Sequence, residues 1–291
     1  MEIPMTADDL QPDRFRFRPG RSLADYPTRL EVDGAERRVT DSVALLQELQ
    51  EILWADNRRA VLLVFQGMDT AGKDGTIKRV TSGVNPAGFQ VFSFRQPSAE
   101  ELDHNFLWRY WRRMPERGRI GIFNRSYYEP VVVERVHPEF VEASPLPHEA
   151  VGENFWAHRL EDIAAMERHL CRNGTTIVKF FLHLSREEQR QRLMARLQNR
   201  DKLWKFNPGD VRERQHWFAY QAAYEAALTH TDQDHAPWYV IPADDKWTMR
   251  AAVARVVTDS LASLDLRYPQ LSPDGDTLAA EALKTLKSEV E

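Results

Sequence analysis

The feature that most constrains this chain is a run of apolar residues that leads directly into a glycine-rich loop. Residues 61–76 read VLLVFQGMDTAGKDGT, in which five apolar residues precede Gly67, Gly72, Lys73 and Gly75. A polar stretch that is compatible with a helix follows. A strand, a glycine loop and a helix in this order direct backbone N–H groups and a helix N-terminus at an anion. The stretch therefore predicts a phosphate-binding loop.

The loop departs from the usual phosphate-loop pattern at one position, because Asp74 stands where that pattern has Ser or Thr. The alternative interpretation is a glycine turn between a core strand and a helix, with Lys73 as a solvated surface lysine. If the stretch is a phosphate loop, the residues expected to contact phosphate are Gly67, Thr70, Ala71, Gly72, Lys73, Asp74, Gly75 and Thr76.

The composition is that of a soluble globular protein with a sizeable core. Of the 291 residues, 42% are hydrophobic and 29% are charged, and the formal net charge is −5. A net negative charge argues against general nucleic-acid binding, and no apolar run approaches the ~20 residues of a membrane span. The single cysteine, Cys171, excludes an internal disulfide. Together with the lack of an apolar signal segment, it favours a cytoplasmic location.

Apolar runs with strand character alternate with stretches of helical periodicity along the chain. Strands are predicted at Val61–Gln66, Phe89–Phe94, Arg119–Phe123, Thr176–Leu184 and Trp238–Ile241. Helices are predicted to begin at Ser185 and Asp210 and to span Thr40–Asn57, Asp74–Val84, Ala99–Arg113, Glu153–Cys171 and Lys246–Leu264. This alternation predicts an α/β fold in which helices flank a five-stranded parallel sheet on both faces.

The order of these elements is that of one domain with additions at both ends, spanning residues 1–291. Residues 1–57 hold an extended arm followed by the Thr40–Asn57 helix, which is expected to pack on the sheet domain. Residues 272–291 read as a polar tail with a short terminal helix.

Polar residues at the end of another predicted strand indicate a metal site. Residues 119–125 read RIGIFNR, and in phosphate-loop enzymes a second buried strand ends in an acidic residue that holds Mg²⁺. This strand ends in Asn124, whose amide oxygen can accept from a metal-bound water. The carboxylate ligand then falls to Asp69 in the glycine loop, with Glu129 as a further candidate. A polar turn at residues 124–126 is the alternative interpretation.

A basic segment at residues 186–212 is predicted to form a helical lid. Arg192, Arg196 and Arg200 are four residues apart, so they share one helix face and repel one another unless an anion lies along them. In kinases with this element order, lid arginines close over the transferred phosphoryl group. A solvated charged helix face is the alternative interpretation.

A second basic cluster, at residues 109–119, interleaves arginines with aromatic residues. Trp108 and Trp111 are expected to be core residues. The role of the arginines stays open between stacking on a base and covering apolar surface with a solvated head. The nine histidines form no convincing metal pattern.

Seven segments carry a family likeness when they are taken together and in order: GMDTAGKDGTI, SGVNPAGFQVFSF, RIGIFNRSYYE, ERVHPE, LHLSREEQRQRL, KLWKF and APWYVIPADDKW. They resemble the polyphosphate kinase type 2 family, and the likeness spans about Phe15 to Leu264. The resemblance implies a P-loop kinase fold similar to thymidylate kinase, with a lid over the active site. It also implies phosphoryl transfer between inorganic polyphosphate and a nucleotide, with Mg²⁺ or with Mn²⁺ in its place.

The resemblance also implies roles for individual residues. The residues implied to be catalytic are Asp69, Lys73, Arg125 and Arg192. Those of the lid and the polyphosphate path are Arg192, Arg196, Lys202 and Lys205. The implied metal ligands are Asp69, Asn124 through a water, and Glu129. Asn124 stands where much of the family has Asp, which is similar to the branch that phosphorylates both AMP and ADP, and Arg200 stands where lids of the family often have Pro.

Two other functions remain open. The first is an ATP-dependent nucleoside monophosphate kinase on the same fold, whose loop should end in Lys followed by Ser or Thr. The second is a non-enzymatic protein that binds polyanions through the basic segment. As a polyphosphate kinase, the chain is expected to bind polyphosphate, AMP, ADP and ATP, and to form a homo-oligomer in which the N-terminal helix is a candidate interface.

Overall fold

The computed structural model describes residues 9–205 and 207–289, and the side chains of Lys202 and Lys205 lie outside that description. The strands of its single sheet are β1 Ala60–Gly67, β2 Phe89–Ser93, β3 Ile120–Asn124, β4 Thr175–His183 and β5 Trp238–Pro242. They lie in the order β2-β3-β1-β4-β5, and every neighbouring pair is parallel. The predicted five-stranded parallel sheet is therefore confirmed.

Helices connect the strands and flank the sheet. In the described part of the chain the α-helices are α1 Pro12–Phe15, α2 Ala35–Asp56, α3 Lys73–Val80, α4 Ala99–Leu102, α5 Trp108–Trp111, α6 Glu129–Val136, α7 Glu139–Glu142, α8 Phe155–Arg172, α9 Arg186–Gln198, α10 Pro208–Glu213, α11 Trp217–Thr231, α12 Lys246–Ala262 and α13 Pro273–Ser288. Short 3₁₀ helices lie at Leu23–Asp25, Pro86–Gly88, His148–Ala150, Arg200–Lys205 and Arg214–His216. No described helix is long and apolar enough to cross a membrane.

The central strand β1 is buried along its whole length, because apolar helices cover both faces of the sheet. Successive side chains of a strand point to opposite faces. Leu63 and Phe65 pack with α2, α3 and α12, whereas Leu62 and Val64 pack with α6, α8 and α11. The unbroken apolar run before the glycine loop is thus explained by a strand that has no solvent face.

The N-terminal arm covers the outer edge of the sheet. Arg16 forms an antiparallel bridge with Tyr239 of β5, and Glu225 of α11 accepts hydrogen bonds from Ser22 Oγ and Leu23 N, both at 2.8 Å. Residues 1–8 of the predicted arm lie outside the described residues. By pairing with β5, the arm protects an edge strand that would otherwise expose unpaired backbone groups.

The N-terminal helix packs on the sheet domain as predicted, although it begins at Ala35 rather than at Thr40. Its buried side chains, including Val39, Leu46 and Leu53, join the core cluster to which α12 also contributes. The apolar face of α2 is therefore used within the chain, and the expected homo-oligomer stays a prediction.

The single helix predicted over Ala99–Arg113 is wrong. The segment forms two four-residue helices, α4 and α5. Between them the side chain of Asn105 accepts a hydrogen bond from Leu107 N at 3.1 Å, a local turn that competes with helix formation. The terminal helix also differs from its prediction, since α13 has sixteen residues and none of them is buried.

A buried ion pair ties the sheet to two helices and to the segment between β3 and α6. Lys179 of β4 lies 2.6 Å from Glu167 of α8, and both side chains are fully buried. Glu167 also accepts hydrogen bonds from the hydroxyl groups of Tyr127 and Tyr128, at 2.8 and 2.9 Å. Lys179 Nζ donates to the carbonyl of Thr231 in α11 at 2.7 Å. Every charge in this cluster therefore has close partners.

Candidate active site

The glycine loop joins the carboxyl end of β1 to the first turn of α3. Gly67 and Gly72 have φ angles of +149° and +107°, which L side chains rarely adopt. A Cβ atom at Gly67 would lie 2.9 Å from the carbonyl oxygen of Leu182, and one at Gly72 would lie 2.9 Å from Met249 Cε. Backbone geometry therefore favours glycine at both positions, and at Gly67 the nearby backbone carbonyl also leaves no room for a side chain.

Strained residues without this freedom also occur at the loop. Thr70 and Arg125 have φ angles of +64° and +63°. The hydroxyl group of Thr70 is buried and has no hydrogen-bond partner among the described residues. Strained backbone and unsatisfied polar groups are characteristic of functional sites.

Lys73 is the first residue of α3 and folds back over the loop. Its Nζ donates to the carbonyl of Gly67 at 2.6 Å and to that of Met68 at 3.3 Å. Burial, followed by the positive charge of Arg125, lowers the pKa of Lys73, and Asp69 opposes this shift. These contacts exclude the interpretation of Lys73 as a solvated surface lysine and place its ammonium group at the mouth of the loop.

Arg125 follows the end of β3 and lies between two carboxylates. Its guanidinium is 3.2 Å from Asp69 and 3.4 Å from Glu129. Glu129 makes the largest contribution to raising the pKa of Arg125, followed by Asp69 in the same direction, whereas burial opposes the increase. The sheet brings this cluster together, because β1 and β3 are adjacent and pair Phe65 with Asn124.

Asn124 and Asp74 are hydrogen-bonded to each other. Asn124 Nδ2 donates to Asp74 Oδ1 at 2.6 Å and to Ser93 Oγ at 3.4 Å. Both described hydrogen bonds of the Asn124 side chain thus use its amide nitrogen. The residue that replaces Ser or Thr in the loop therefore lies beside the residue that replaces the usual acidic strand end.

The donor atoms around the loop fit a Mg²⁺ ion only if phosphate oxygens of the substrate complete its coordination shell. Among the described residues, no group of three or more His, Cys, Asp or Glu side chains could hold a metal. Asp69 offers a partly exposed carboxylate and Asn124 an amide oxygen. Mg²⁺ commonly takes one or two protein carboxylates and completes its shell with water and phosphate oxygens. Glu129 is already the counter-ion of Arg125.

Arg192 of α9 lies against the glycine loop, and its expected role on the polyphosphate path stays a prediction. Its Nη1 donates to the carbonyls of Thr70 and Ala71, both at 3.1 Å, and its Nη2 to those of Ala243 and Asp244, at 2.6 and 3.0 Å. Its Nε donates to Glu188 at 2.7 Å. All five guanidinium donors are thus used inside the protein. The guanidinium joins the glycine loop to the end of β5.

The segment predicted to be a lid, residues 186–212, is helical and comprises α9, the 3₁₀ helix Arg200–Lys205 and the start of α10; its role as a lid stays a prediction. Arg196 of α9 forms a 2.8 Å ion pair with Asp210 of α10. Arg192 and Arg196 each have an acidic partner, so their shared helix face does not require an external anion. The predicted contacts of Lys202 and Lys205 lie outside the described side chains.

The carboxylate of Asp210 lies within electrostatic reach of the glycine loop. Burial, followed by the negative charge of Asp69, raises the pKa of Asp210, whereas Arg196 opposes this increase. The predicted lid segment therefore brings a further charged group, from α10, close to the site.

In the second basic cluster, arginine side chains lie over aromatic rings. The guanidinium carbon of Arg112 lies 4.6 Å from the ring centroid of Trp108, and that of Arg119 lies 3.5 Å from the ring centroid of Trp54. Arg113 lies over the ring of Phe92 in the same way. The core prediction is wrong for Trp111, whose exposed fraction is 40%. The arginines thus cover aromatic surface within the chain.

One residue of the site gave no signal in the sequence. Gln189 of α9 is buried, and its Nε2 donates to the backbone carbonyl of Asp69 at 3.1 Å. Arg214 in turn donates to Gln189 Oε1 at 2.7 Å. A glutamine on a charged helix has no distinguishing pattern, so only the tertiary structure reveals that it supports the loop.

A parallel sheet whose carboxyl edge holds a glycine loop, a loop lysine and an Asp–Arg pair defines a P-loop phosphotransferase. The family model described as polyphosphate kinase 2 matches residues 29–269. The chain belongs to the polyphosphate kinase 2 family, which confirms the resemblance found in the sequence.

Individual relatives extend this likeness over nearly the whole chain. An ADP-polyphosphate phosphotransferase from Rhodopseudomonas palustris is 48% identical and covers 89% of this chain and 93% of its own length. An AMP/ADP-polyphosphate phosphotransferase from Meiothermus ruber is 41% identical, covering 94% and 98%. The crystal structure of polyphosphate kinase 2 from Arthrobacter aurescens TC1 superposes with a TM-score of 0.84 at 35% identity, covering 93% of this chain and 95% of that one.

Proposed function

We propose that this protein reversibly transfers a phosphoryl group from inorganic polyphosphate to ADP and to AMP. The observation that carries the proposal is the cluster of Lys73, Asp69 and Arg125 at the mouth of the glycine loop. Family membership supports polyphosphate as the donor, and the names of the two relatives support ADP and AMP as acceptors.

The arrangement suits in-line transfer by positioning and charge neutralisation. The backbone N–H groups of the loop and Lys73 would hold the donor phosphates, and Arg125 would neutralise charge that develops on the transferred group. The attacking oxygen belongs to a phosphate that is already ionised at neutral pH, so the reaction needs no general base. Arg192 acts as a positioning residue, because it fixes the carbonyl groups of Thr70 and Ala71.

Asp69 would hold Mg²⁺, with Asn124 contacting it through a water, and Mn²⁺ would serve in its place. When bound, the ion supplies positive charge to the phosphate oxygens of donor and acceptor. Glu129 contributes by holding Arg125 in place rather than as a ligand. Asp74, which accepts a hydrogen bond from Asn124, fixes the amide group beside the loop.

One assay separates this proposal from its two rivals. The protein is incubated with ADP, polyphosphate and Mg²⁺ in the absence of ATP, and new ATP is measured; a parallel reaction replaces ADP with AMP and measures ADP and ATP. ATP formation from ADP supports the proposal, and product from AMP extends it to the second acceptor. Transfer only from ATP to a monophosphate would select the nucleoside monophosphate kinase. Tight polyphosphate binding without turnover would select the polyanion-binding protein.

A further inference from the structure

A pair of arginines shares one tryptophan on the surface formed by α3 and α12. The guanidinium carbon of Arg79, in the last turn of α3, lies 5.0 Å from the ring centroid of Trp247. That of Arg250, one turn further along α12 than Trp247, lies 4.9 Å from the same ring. We call Arg79, Trp247 and Arg250 the α3–α12 patch.

The positive charges of this patch are poorly compensated within the chain. The described carboxylate nearest to Arg79 is Glu36, at 3.6 Å, which is longer than a charge-assisted hydrogen bond. The Nε of Arg250 is buried and has no hydrogen-bond partner among the described residues. Burial, followed by the positive charges of Arg79 and Arg192, lowers the pKa of Arg250, although Asp245 and Glu36 oppose this. An anion at the patch would relieve this repulsion.

The patch begins at the glycine loop and leads away from it. A Cβ atom at Gly75, in the first turn of α3, would lie 3.5 Å from Arg250 Nη2, so this guanidinium lies against the start of the phosphate-binding helix. Arg79 is six residues beyond Lys73, which places it about 9 Å further along the helix axis. A chain of phosphates that leaves the loop along α3 would therefore meet Arg250 first and Arg79 next.

We propose that the α3–α12 patch binds the part of the polyphosphate chain that extends beyond the reacting phosphoryl group, and so determines the preference for long donors. The inference rests on the proposed function. A polymer with regularly spaced charges can contact both arginines while its reacting end stays in the glycine loop, whereas a single phosphate in the loop cannot. A nucleobase is a poor occupant, because two guanidinium groups already lie over the indole ring.

The test compares donors of different length. In the double variant Arg79→Gln/Arg250→Gln, the KM for long-chain polyphosphate should rise roughly tenfold, because two charge-assisted contacts are lost. The KM for triphosphate, which is too short to reach Arg79, should change far less, and the KM for ADP should not follow donor length. The dependence of log KM on log salt for the long donor should become shallower by about 0.7 for each lost contact.

Two matched variants control for charge and for packing. Arg37→Gln removes the same charge from an arginine of α2 whose side chain is 88% exposed, and it should leave the KM for both donors unchanged. Arg79→Lys/Arg250→Lys keeps both charges and should recover most of the affinity for the long donor.

Two results would overturn the inference while the proposed function stands. One is a long-donor KM in the double glutamine variant that equals that of Arg37→Gln. The other is a rise of the triphosphate KM by the same factor as the long-donor KM, which would mean that the arginines only support the loop. A wild-type protein that forms no ATP from polyphosphate would instead refute the proposed function itself.

Discussion

At the scale of single residues, Lys73 supplies the positive charge of the glycine loop. Its ammonium group donates hydrogen bonds to the carbonyls of Gly67 and Met68, within reach of any phosphate in the loop. Lys73→Ala should lower the turnover number about a hundredfold, by analogy with the loss of one charge-stabilising donor. Steady-state kinetics with ADP and polyphosphate measures this. Lys78→Ala, an exposed lysine of the same helix, is the matched control, and equal rates in the two variants would remove the assigned role.

A lysine variant at Arg192 distinguishes between two roles of its guanidinium group, one that depends on charge and one that depends on planar shape. Its bonds to four carbonyl groups need the planar fork of an arginine, which lysine cannot reproduce. Arg192→Lys should therefore lower kcat about tenfold or more through displacement of the loop, while the salt dependence of the donor KM stays the same. Arg190→Lys, at an exposed ion pair with Glu187 on the same helix, serves as the control. Near-normal kcat in Arg192→Lys would instead show that charge alone suffices.

At the scale of elements, a histidine connects the end of α10 to the helices beside the site. His137, between α6 and α7, lies 2.9 Å from Glu213 at the end of α10 and 3.0 Å from Glu139. Tyr220 also donates to Glu213, at 2.8 Å, and the ring of His216 lies 5.0 Å from that of His137. Partial burial disfavours the charged form of His137, but hydrogen bonds to Glu213 and Glu139 outweigh it and raise its pKa.

This connection should stabilise the protein more at low pH than at high pH. The pKa of His137 is raised above its unfolded value of about 6.5, so its contribution is complete below that value and is lost as the pH rises through the folded pKa. His137→Gln should lower the melting temperature by about 2–4 °C near pH 6, and the difference should shrink toward pH 9. His230→Gln, at an exposed histidine of α11, is the control. A difference that does not depend on pH would contradict the prediction.

At the scale of the whole molecule, the buried pair of Lys179 and Glu167 joins the sheet to the helices on one face. Burial lowers the pKa of Lys179 even though Glu167 favours its charged form. Lys179→Met should reduce the free energy of unfolding by about 3–5 kcal/mol, because it leaves the carboxylate of Glu167 buried and unpaired. Urea denaturation measures the loss. The double variant Glu167→Leu/Lys179→Met should recover most of it, and a double variant as unstable as the single one would contradict this account.

The parts of the fold that are local in sequence could be predicted. Each of the five strands is a run of apolar residues that ends at turn residues, and the two-sided burial of β1 explains why its run has no polar interruption. The prediction of a single helix over Ala99–Arg113 is wrong because a helical spacing of apolar residues carries no information about the turn at Asn105. The length of α13 was also not predicted. None of its residues is buried, so its leucines do not form the periodic core pattern from which helix length is estimated.

The sequence by itself determined the glycine loop, since Gly67 to Thr76 are contiguous and their backbone geometry is required by the glycines themselves. The sequence and its family resemblance also indicated that Asp69, Lys73, Asn124 and Arg125 belong to one site, and they lie together because parallel strands end at the same edge of a sheet. Only the tertiary structure decided what these groups contact. The direction of the Arg192 fork depends on carbonyl groups more than a hundred residues away at Thr70 and Ala71, and a spacing of charges along one helix cannot encode such a distant acceptor.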